Sequence, residues 1–384
     1  MSDDIRGHRS AKEEDLMATD VRGIKAPPDL AESLEAGYTL PAEWYTHPAV
    51  LDLEKNRIFR HVWQYAGLTE QVAHPGDFFT YRAGDVPIVV VRAETDELKA
   101  FVNVCRHRGS ELVLAESGNR KSLQCHYHAW TYGLDGSLRA APGAKREPGF
   151  DISQFRLAPV QIDTWGPFIF VNPDEDAPPL ADVLGELPQL VRETGIDLDA
   201  LKCRRRDQYE IAANWKVVVD NYLECYHCPV AHPSFSDLID VNNYQVTEYE
   251  LFSTQGGPVR DSARKGDVYT FGEGVEEGFY AFFWPNFMLN IYPGPGNVSL
   301  NLILPIDSNR TRAIYEYCFV DKVGEREVEE FIRFIDQVQR EDIVLCESVQ
   351  RGLRSGFLDQ GKLMLSRESG LRHFQKLVYQ FLAG

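Results

Sequence analysis

Alternation of apolar and polar residues dominates the first half of the chain. Three short runs, Asp77–Gly84 (DFFTYRAG), Val86–Glu94 (VPIVVVRAE) and Leu98–Val104 (LKAFVNV), are bounded by Gly, Pro or charged turn residues. Their β-branched and aromatic side chains suit a pleated surface, so each run predicts a strand. Ahead of them, Pro-broken sequence carries one helical stretch near residues 48–60. Beyond them, an Asp/Glu/Pro-rich stretch from Asn172 (NPDEDAPPLADVL) reads as a connection into a helix around 180–195 and a strand near 204–213. A helical motif segment follows, then strand-like runs at 277–292, 298–305 and 312–320. The period then changes. Val328, Phe331, Ile332, Ile335, Val338, Val344, Val349 and Leu353 recur near helical spacing and predict one long helix over 325–353.

A chain of 384 residues exceeds what one hydrophobic core usually fills, so two domains are expected. The pattern divides it into an N-terminal leader and helix over 1–45 that packs with the second domain, an all-β domain over 46–165, and a mixed domain over 166–384. The fold class is therefore α+β. With 43% hydrophobic and 26% charged residues the composition is that of a soluble globular protein, and no apolar run approaches the length of a membrane span. The polar opening MSDDIRGHRSAKEEDLMATD lacks the apolar core of a secretory signal, which predicts a cytoplasmic protein with a partly disordered leader. A net charge of −18 without a basic stripe excludes nucleic acid as partner. We assign that charge to solubility before steering of a cationic substrate.

The candidate chemistry begins with Cys105-X-His107 and Cys125-X-X-His128, separated by seventeen residues. Two thiolates and two imidazoles are the ligand set of a 2Fe-2S cluster in which His replaces Cys on one iron, a change that raises the reduction potential. Zinc is the alternative, but zinc sites usually pair like with like, whereas each pair here mixes Cys with His. His126 lies outside the spacing and reads as a loop histidine. Of the seven cysteines, the remaining five (203, 225, 228, 318 and 346) are expected as reduced thiols. Cys225-X-X-Cys228 is accordingly expected to fill small buried volumes.

The segment NWKVVVDNYLECYHCPVAHPSF carries Glu224-X-X-His227-X4-His232. Glu224 and His227 share a face if helical, and Pro229 predicts a bend that brings His232 round to the same metal. Two His and one carboxylate leave half the coordination sphere of Fe(II) open, as O2 activation requires. Metal-bound His usually donates its other ring N–H to a carboxylate, so Glu224 is expected to orient His227. The third ligand then comes from elsewhere. In QREDIVLCESVQRGL, Asp342 shares a helical stripe with Cys346, Val349 and Leu353, and Glu341 and Glu347 compete with it.

The first motif resembles the Rieske signature C-X-H-X17-C-X-X-H, and the second resembles the iron motif of the catalytic α-subunits of Rieske non-haem iron oxygenases. The resemblance covers nearly the whole chain beyond the leader. It implies Cys105 and Cys125 on one cluster iron, His107 and His128 on the other, and His227, His232 and Asp342 on a mononuclear iron. It also implies a helix-grip catalytic domain of antiparallel sheet and helices. Family members form head-to-tail homotrimers, in which His128 of one chain would reach His227 of the next through Glu224, the bridging carboxylate. Many aromatic-ring dioxygenases carry Asp where this chain has Glu224. The wording NYLECYHCPVAHPSF is more similar to members acting on quaternary ammonium compounds such as carnitine, glycine betaine or stachydrine.

The expected function is therefore the terminal oxygenase that hydroxylates or oxidatively N-demethylates a small quaternary ammonium or N-methyl substrate with O2. No nucleotide-binding fingerprint is present, so electrons are expected from NAD(P)H through a separate flavin/iron–sulfur reductase. Phe283, Trp284, Phe287 and Tyr292 are expected to line the pocket, where aromatic faces attract a quaternary ammonium. Ring hydroxylation of an aromatic compound is the alternative reaction, and a Rieske electron-transfer protein the non-enzymatic alternative.

Overall fold

In the computed structural model, which describes residues 29–260, 263 and 274–383, the three apolar runs are strands. The first 28 residues of the expected leader lie outside the described residues. The order begins with β1 (Gln64–Leu68), β2 (Asp77–Ala83), β3 (Val86–Arg92), β4 (Leu98–Val102) and β5 (Ser117–Asn119). Three short strands follow, β6 (Leu123–Gln124), β7 (Thr131–Tyr132) and β8 (Leu138–Ala140), then β9 (Pro159–Trp165) and β10 (Phe168–Asn172). An antiparallel sheet runs β1-β10-β9-β4-β3-β2-β5, and β6-β7-β8 form a separate small sheet.

The second half is built on another antiparallel sheet. Its strands are β11 (Leu201–Ile211), β12 (Gln245–Glu248), β13 (Phe252–Gly256), β14 (Phe279–Phe283), β15 (Phe287–Ile291), β16 (Asn297–Asp307) and β17 (Arg310–Val320), ordered β11-β17-β16-β15-β14-β13-β12. The long amphipathic helix spans Glu325–Leu353 as its period requires. The run read as one strand over 277–292 is a hairpin turning at Trp284-Pro285-Asn286. The helix expected over 180–195 is broken into Leu180–Leu184 and Leu187–Glu193 by Gly185, whose φ of +53° is left-handed. The architecture is α+β, and no helix among the described residues is long and apolar enough to cross a membrane.

Strand alternation divides the second sheet's side chains between two cores. Ala281, Phe283, Phe287, Leu289 and Ile291 face the first sheet, where Tyr65 stacks on Phe287 at 4.6 Å. Tyr280, Phe282 and Met288 face the helices, in one core with Leu34, Trp44, Trp215, Phe331 and Phe374. Cys203 and Cys318 are direct cross-strand partners on β11 and β17, and their sulfurs are bonded. The expectation of reduced thiols fails there because the register sets the two side chains opposite one another.

Helix Trp215–Tyr222 is fixed by buried polar groups as well as by apolar packing. Asn214 caps it, its side-chain oxygen accepting from the Lys216 N–H at 3.0 Å. Lys216 and Glu54 are both fully buried and ion-paired, and Glu54 also accepts from Trp215 Nε1 at 2.7 Å. Burial pushes the Lys216 pKa down and the Glu54 pKa up, against their mutual attraction. One turn on, Asp220 accepts from Tyr45 Oη at 2.7 Å and Gln375 Nε2 at 3.0 Å, and burial raises it to about 7.

Breaking such a pair from one side leaves an unpaired buried charge. Lys216→Met should therefore cost about 3–5 kcal/mol in urea denaturation. Adding Glu54→Gln, which keeps an acceptor for Trp215, should recover most of it. A single-variant loss below about 1 kcal/mol would contradict a buried ionic anchor.

Candidate active site: two metal-ligand sets

The four cluster candidates sit on two loops of the same design. Cys105 N–H donates to Ser110 O and Gly109 N–H to Cys105 O; Cys125 N–H donates to Trp130 O and Ala129 N–H to Cys125 O. Gly109 and Ala129, at equivalent positions, both take the left-handed conformation, with φ of +74° and +57°. Each loop thus buries its Cys and presents its His outward. Cys105 and Cys125 are each 2% exposed, whereas the His107 and His128 rings meet 4.6 Å apart at the surface side. Burial alone would raise the Cys125 pKa, but N–H groups of Tyr127 and His128 and the side chains of Cys105 and Ser110 outweigh it and lower it. Those donors favour the thiolate, the form that binds iron. A buried sulfur pair beside an outward nitrogen pair fits a 2Fe-2S cluster with unlike ligands on its two irons. Tyr132 completes the loops. Its hydroxyl lies 3.5 Å from Cys105 Sγ and accepts from Arg106 N–H at 2.9 Å, a role the ligand spacing did not reveal.

The second set assembles from two distant segments. The helix expected to carry both Glu224 and His227 ends at Tyr222, and Glu224 instead closes a turn by accepting the N–H groups of Tyr226 and His227. Its other oxygen takes the His227 Nδ1–H. Pro229 sits in the first turn of a new short helix, Cys228–Ala231, which swings His232 back as the sequence predicts. His232 donates from Nδ1 to Glu341 Oε2 at 2.8 Å. With both Nδ1 atoms taken by carboxylates, the Nε2 atoms face inward, 3.1 Å apart, and lie 3.4 and 2.9 Å from Asp342 Oδ1.

These three donors therefore point at one place, and their ligand atoms all lie within 4.8 Å of one another. Burial disfavours a charged His227, yet Asp342 and Glu224 raise its pKa to about 10. Burial likewise opposes ionisation of Asp342, but its bonds to His227 and His232 hold it below the usual carboxylate range. A pocket this short of positive charge fits a metal cation. Of the two competitors to Asp342, Glu341 orients His232 and Glu347 accepts the Ala212 N–H at 3.1 Å. Cys225 and Cys228, expected as reduced, are bonded across one turn with Cα atoms 5.0 Å apart.

Above the three donors lies a cavity of about 80 Å3. Its walls include Tyr222, Phe235, Tyr244, Tyr280 and Tyr292, with Gln255 and Asn290 beside them. Of the four aromatic residues expected there, only Tyr292 lines it. Phe283 and Phe287 point to the opposite face of the sheet, into the core shared with the first sheet, and Trp284 packs on Phe374 and Phe381. Alternation along β14 offered the signal that Tyr280 and Phe283 cannot both line it, since adjacent residues on a strand face opposite ways. Burial pushes the pKa values of Tyr222, Tyr244 and Tyr292 upward, so the walls stay neutral.

An iron–sulfur site on an all-antiparallel sheet, joined to an open two-His, one-carboxylate site on a helix-covered sheet, defines an oxygenase supplied with electrons from its own cluster domain. Family models agree. Residues 62–160 match the Rieske [2Fe-2S] domain, and residues 198–384 match the ring hydroxylating alpha subunit (catalytic domain). The chain is 34% identical to the carnitine monooxygenase oxygenase subunit of Acinetobacter pittii over 93% of its own length and 98% of that protein's. It is 37% identical to the chloroplastic choline monooxygenase of Arabidopsis thaliana over 91% and 84%. The crystal structure of the quaternary ammonium Rieske monooxygenase CntA with an inhibitor superposes with a TM-score of 0.83 at 34% identity, covering 93% of this chain and 99% of that one. The chain belongs to the Rieske non-haem iron oxygenases, as a catalytic α-subunit, and a Rieske cluster and a mononuclear iron are its cofactors.

Two variants probe groups behind the ligands. Glu341→Ala should weaken iron binding at the mononuclear site about 10–100-fold, measured by chelator competition, because His232 loses its orienting acceptor. Tyr132→Phe should lower the cluster potential by on the order of 50 mV, about 1 kcal/mol per electron, since the hydroxyl beside the sulfur favours the reduced cluster. An unchanged potential would show that the hydroxyl serves only the Arg106 N–H.

Proposed function

We propose that this chain is the terminal oxygenase component of a system that hydroxylates or oxidatively N-demethylates a small quaternary ammonium or N-methyl compound. The convergence of His227, His232 and Asp342 under a tyrosine-walled cavity carries this reading, supported by relatives named for carnitine and choline. In it, residues 46–165 form the cluster domain and 166–384 the catalytic domain, with 1–45 packing on the latter. Cys105, His107, Cys125 and His128 hold the cluster, while His227, His232 and Asp342 hold the iron. When bound, the iron supplies O2 activation with electrons delivered through the cluster.

The chain's own groups do the rest. Glu224 and Glu341 keep the two imidazoles turned inward, and the neutral aromatic faces hold an ammonium by cation–π attraction while excluding water. Electrons enter from a separate NAD(P)H-dependent flavin/iron–sulfur reductase, in the cytoplasm. The working unit is a head-to-tail homotrimer in which His128 of one subunit approaches Glu224 of the next. Exposed apolar side chains at both ends suit that arrangement: Leu114 and Tyr127 near the cluster loops, Tyr226 and Val230 beside Glu224. One solved structure of a quaternary ammonium Rieske monooxygenase is described in terms of inter-subunit electron transfer. The likeness to naphthalene 1,2-dioxygenase, at 20% identity, speaks to the fold alone and gives the aromatic alternative no further support.

Iron and acid-labile sulfide should be found at about three and two per chain. With a surrogate reductase and NADH, a panel of N-methyl compounds should yield formaldehyde or a hydroxylated product. A cis-diol or phenol from an aromatic panel, with no ammonium turned over, would sink the proposal. Glu224→Gln should retain both metals yet lose single-turnover product by about 100-fold or more, the scale of a lost coupling group. Wild-type yield from the reduced variant would remove Glu224 from the electron route.

A further inference from the structure

The two imidazoles of the cluster set have different surroundings. His128 lies against the ring of Tyr127 at 3.8 Å, and Arg108 caps that ring at 5.4 Å and donates to its hydroxyl at 3.3 Å. His107 stacks instead on the indole of Trp130, with centroids 4.9 Å apart and planes 9° from parallel. Trp130 is itself buried, because Phe150 and Phe155 pack edge-on against it at 5.7 and 5.5 Å. Those two rings anchor the segment that follows β8. Between Ala141 and Phe150 the chain runs in successive turns, Arg146 N–H donating to Gly143 O and Phe150 N–H to Glu147 O, and it leaves Lys145 and Arg146 exposed. Arg146 is four residues from Phe150, so its backbone lies within about 14 Å of the ring that packs on Trp130.

The neighbouring cations Arg82 and Arg139 are paired with Glu111 and Asp135, whereas Lys145, Arg146 and Arg106, the exposed residue beside His107, make no ion pair among the described residues. Segments 105–110 and 141–150 together carry four basic residues and one acidic, Glu147, in a chain of net charge −18. An acidic donor is repelled by most of such a surface and attracted here, so its encounters are directed to the cluster. A basic donor would be drawn to the acidic body elsewhere. We propose that the Lys145 and Arg146 face beside Trp130 is the docking surface for an acidic iron–sulfur domain of the reductase, so that electrons arrive on the His107 side of the cluster and leave on the His128 side. Each encounter moves one electron. The donor's iron–sulfur centre loses it, and the cluster held by Cys105, His107, Cys125 and His128 passes from two ferric irons to one ferric and one ferrous. The inference rests on the separate-reductase reading and goes beyond it in saying where that partner binds and with what charge.

A plant-type 2Fe-2S ferredoxin, itself an acidic protein, serves as the probe on the metal-loaded enzyme. Its oxidised form should bind with a dissociation constant that weakens roughly tenfold or more between about 0.05 and 0.5 M salt, and its reduced form should reduce the cluster in stopped flow with the same salt dependence. Lys145→Glu with Arg146→Glu should weaken binding and slow that reduction by roughly tenfold or more at low salt. Photoreduced deazariboflavin, which is neutral, should still reduce the variant's cluster at the wild-type rate. Arg326→Glu with Arg333→Glu makes the same change in net charge at exposed positions of the Glu325–Leu353 helix, and should alter neither quantity by more than about twofold. Equal loss in both double variants, or none in either, overturns the docking face and leaves the separate-reductase reading standing. A changed oligomeric state of the Lys145 and Arg146 variant in light scattering would assign the face to a contact between copies, and overturns it as well. Failure of the reduced ferredoxin to reduce the wild-type cluster removes the iron–sulfur donor and this inference with it.

Discussion

The buried polar anchorage of helix Trp215–Tyr222 is the constraint on which the catalytic site depends. His227 and His232 follow that helix directly, while Asp342 lies more than a hundred residues later on the Glu325–Leu353 helix. Apolar packing alone tolerates sliding, because dispersion contacts are individually weak and undirected. Hydrogen bonds do not. Asn214 N–H donates to Gln350 Oε1 at 2.9 Å, tying the start of one helix to the other, and Asp220 ties its middle to Tyr45 and Gln375. Lys216 and Glu54 then bring the Pro48–Glu54 helix against the same element. Each of these groups would be costly to bury unpaired, so a displaced helix loses several partners together. The register of the two ligand-bearing segments is set by that penalty.

A second constraint acts between the sheets. Phe283 and Phe287 join Tyr65, Phe168 and Phe170 in one aromatic core, with Phe170 edge-on to Phe283 at 5.8 Å and to Phe287 at 5.7 Å. The cluster-bearing sheet is thus held against the catalytic sheet by a close-packed interior, where a shift of either sheet opens voids. The two Cys–His loops lie beyond this shared core and have their own, built on Phe78, Val89, Val91, Leu112 and Leu123. Electron entry and oxygen chemistry sit on separate cores joined by a third set of contacts, so substitutions in one need not disturb the other.

Much of this was legible in the sequence because the features are local. The mixed Cys–His pairs, the two His with their carboxylate, and the helical period of 325–353 each lie within a window that spacing alone can read. Contacts between windows were not legible. Glu341 was weighed as a ligand beside Asp342, and only the return of the chain after Pro229 makes it the acceptor for His232. Cys203 and Cys318 meet through a register set by the whole β11–β17 pairing. The pocket aromatics were misread because FYAFF is apolar on both faces of the strand, so its alternation separates Tyr280 from Phe283 without showing which faces the cavity. Only a second sheet on one side and helices on the other identify the face of Tyr280 as the one toward the site.

Charge distribution around the site explains why tyrosines suit its walls. Glu224, Glu341 and Asp342 surround two imidazoles, and a divalent iron answers much of that negative charge. A further carboxylate placed to bind an ammonium would add like charge to a buried cluster and would titrate upward, as Asp220 does nearby where burial raises it to about 7. Buried tyrosines avoid that penalty. Their raised pKa values keep them neutral, and their ring faces still present negative potential to a cation. Attraction by ring faces is short in range and depends on fit, so the shape of the tyrosine walls decides how well a cation is held.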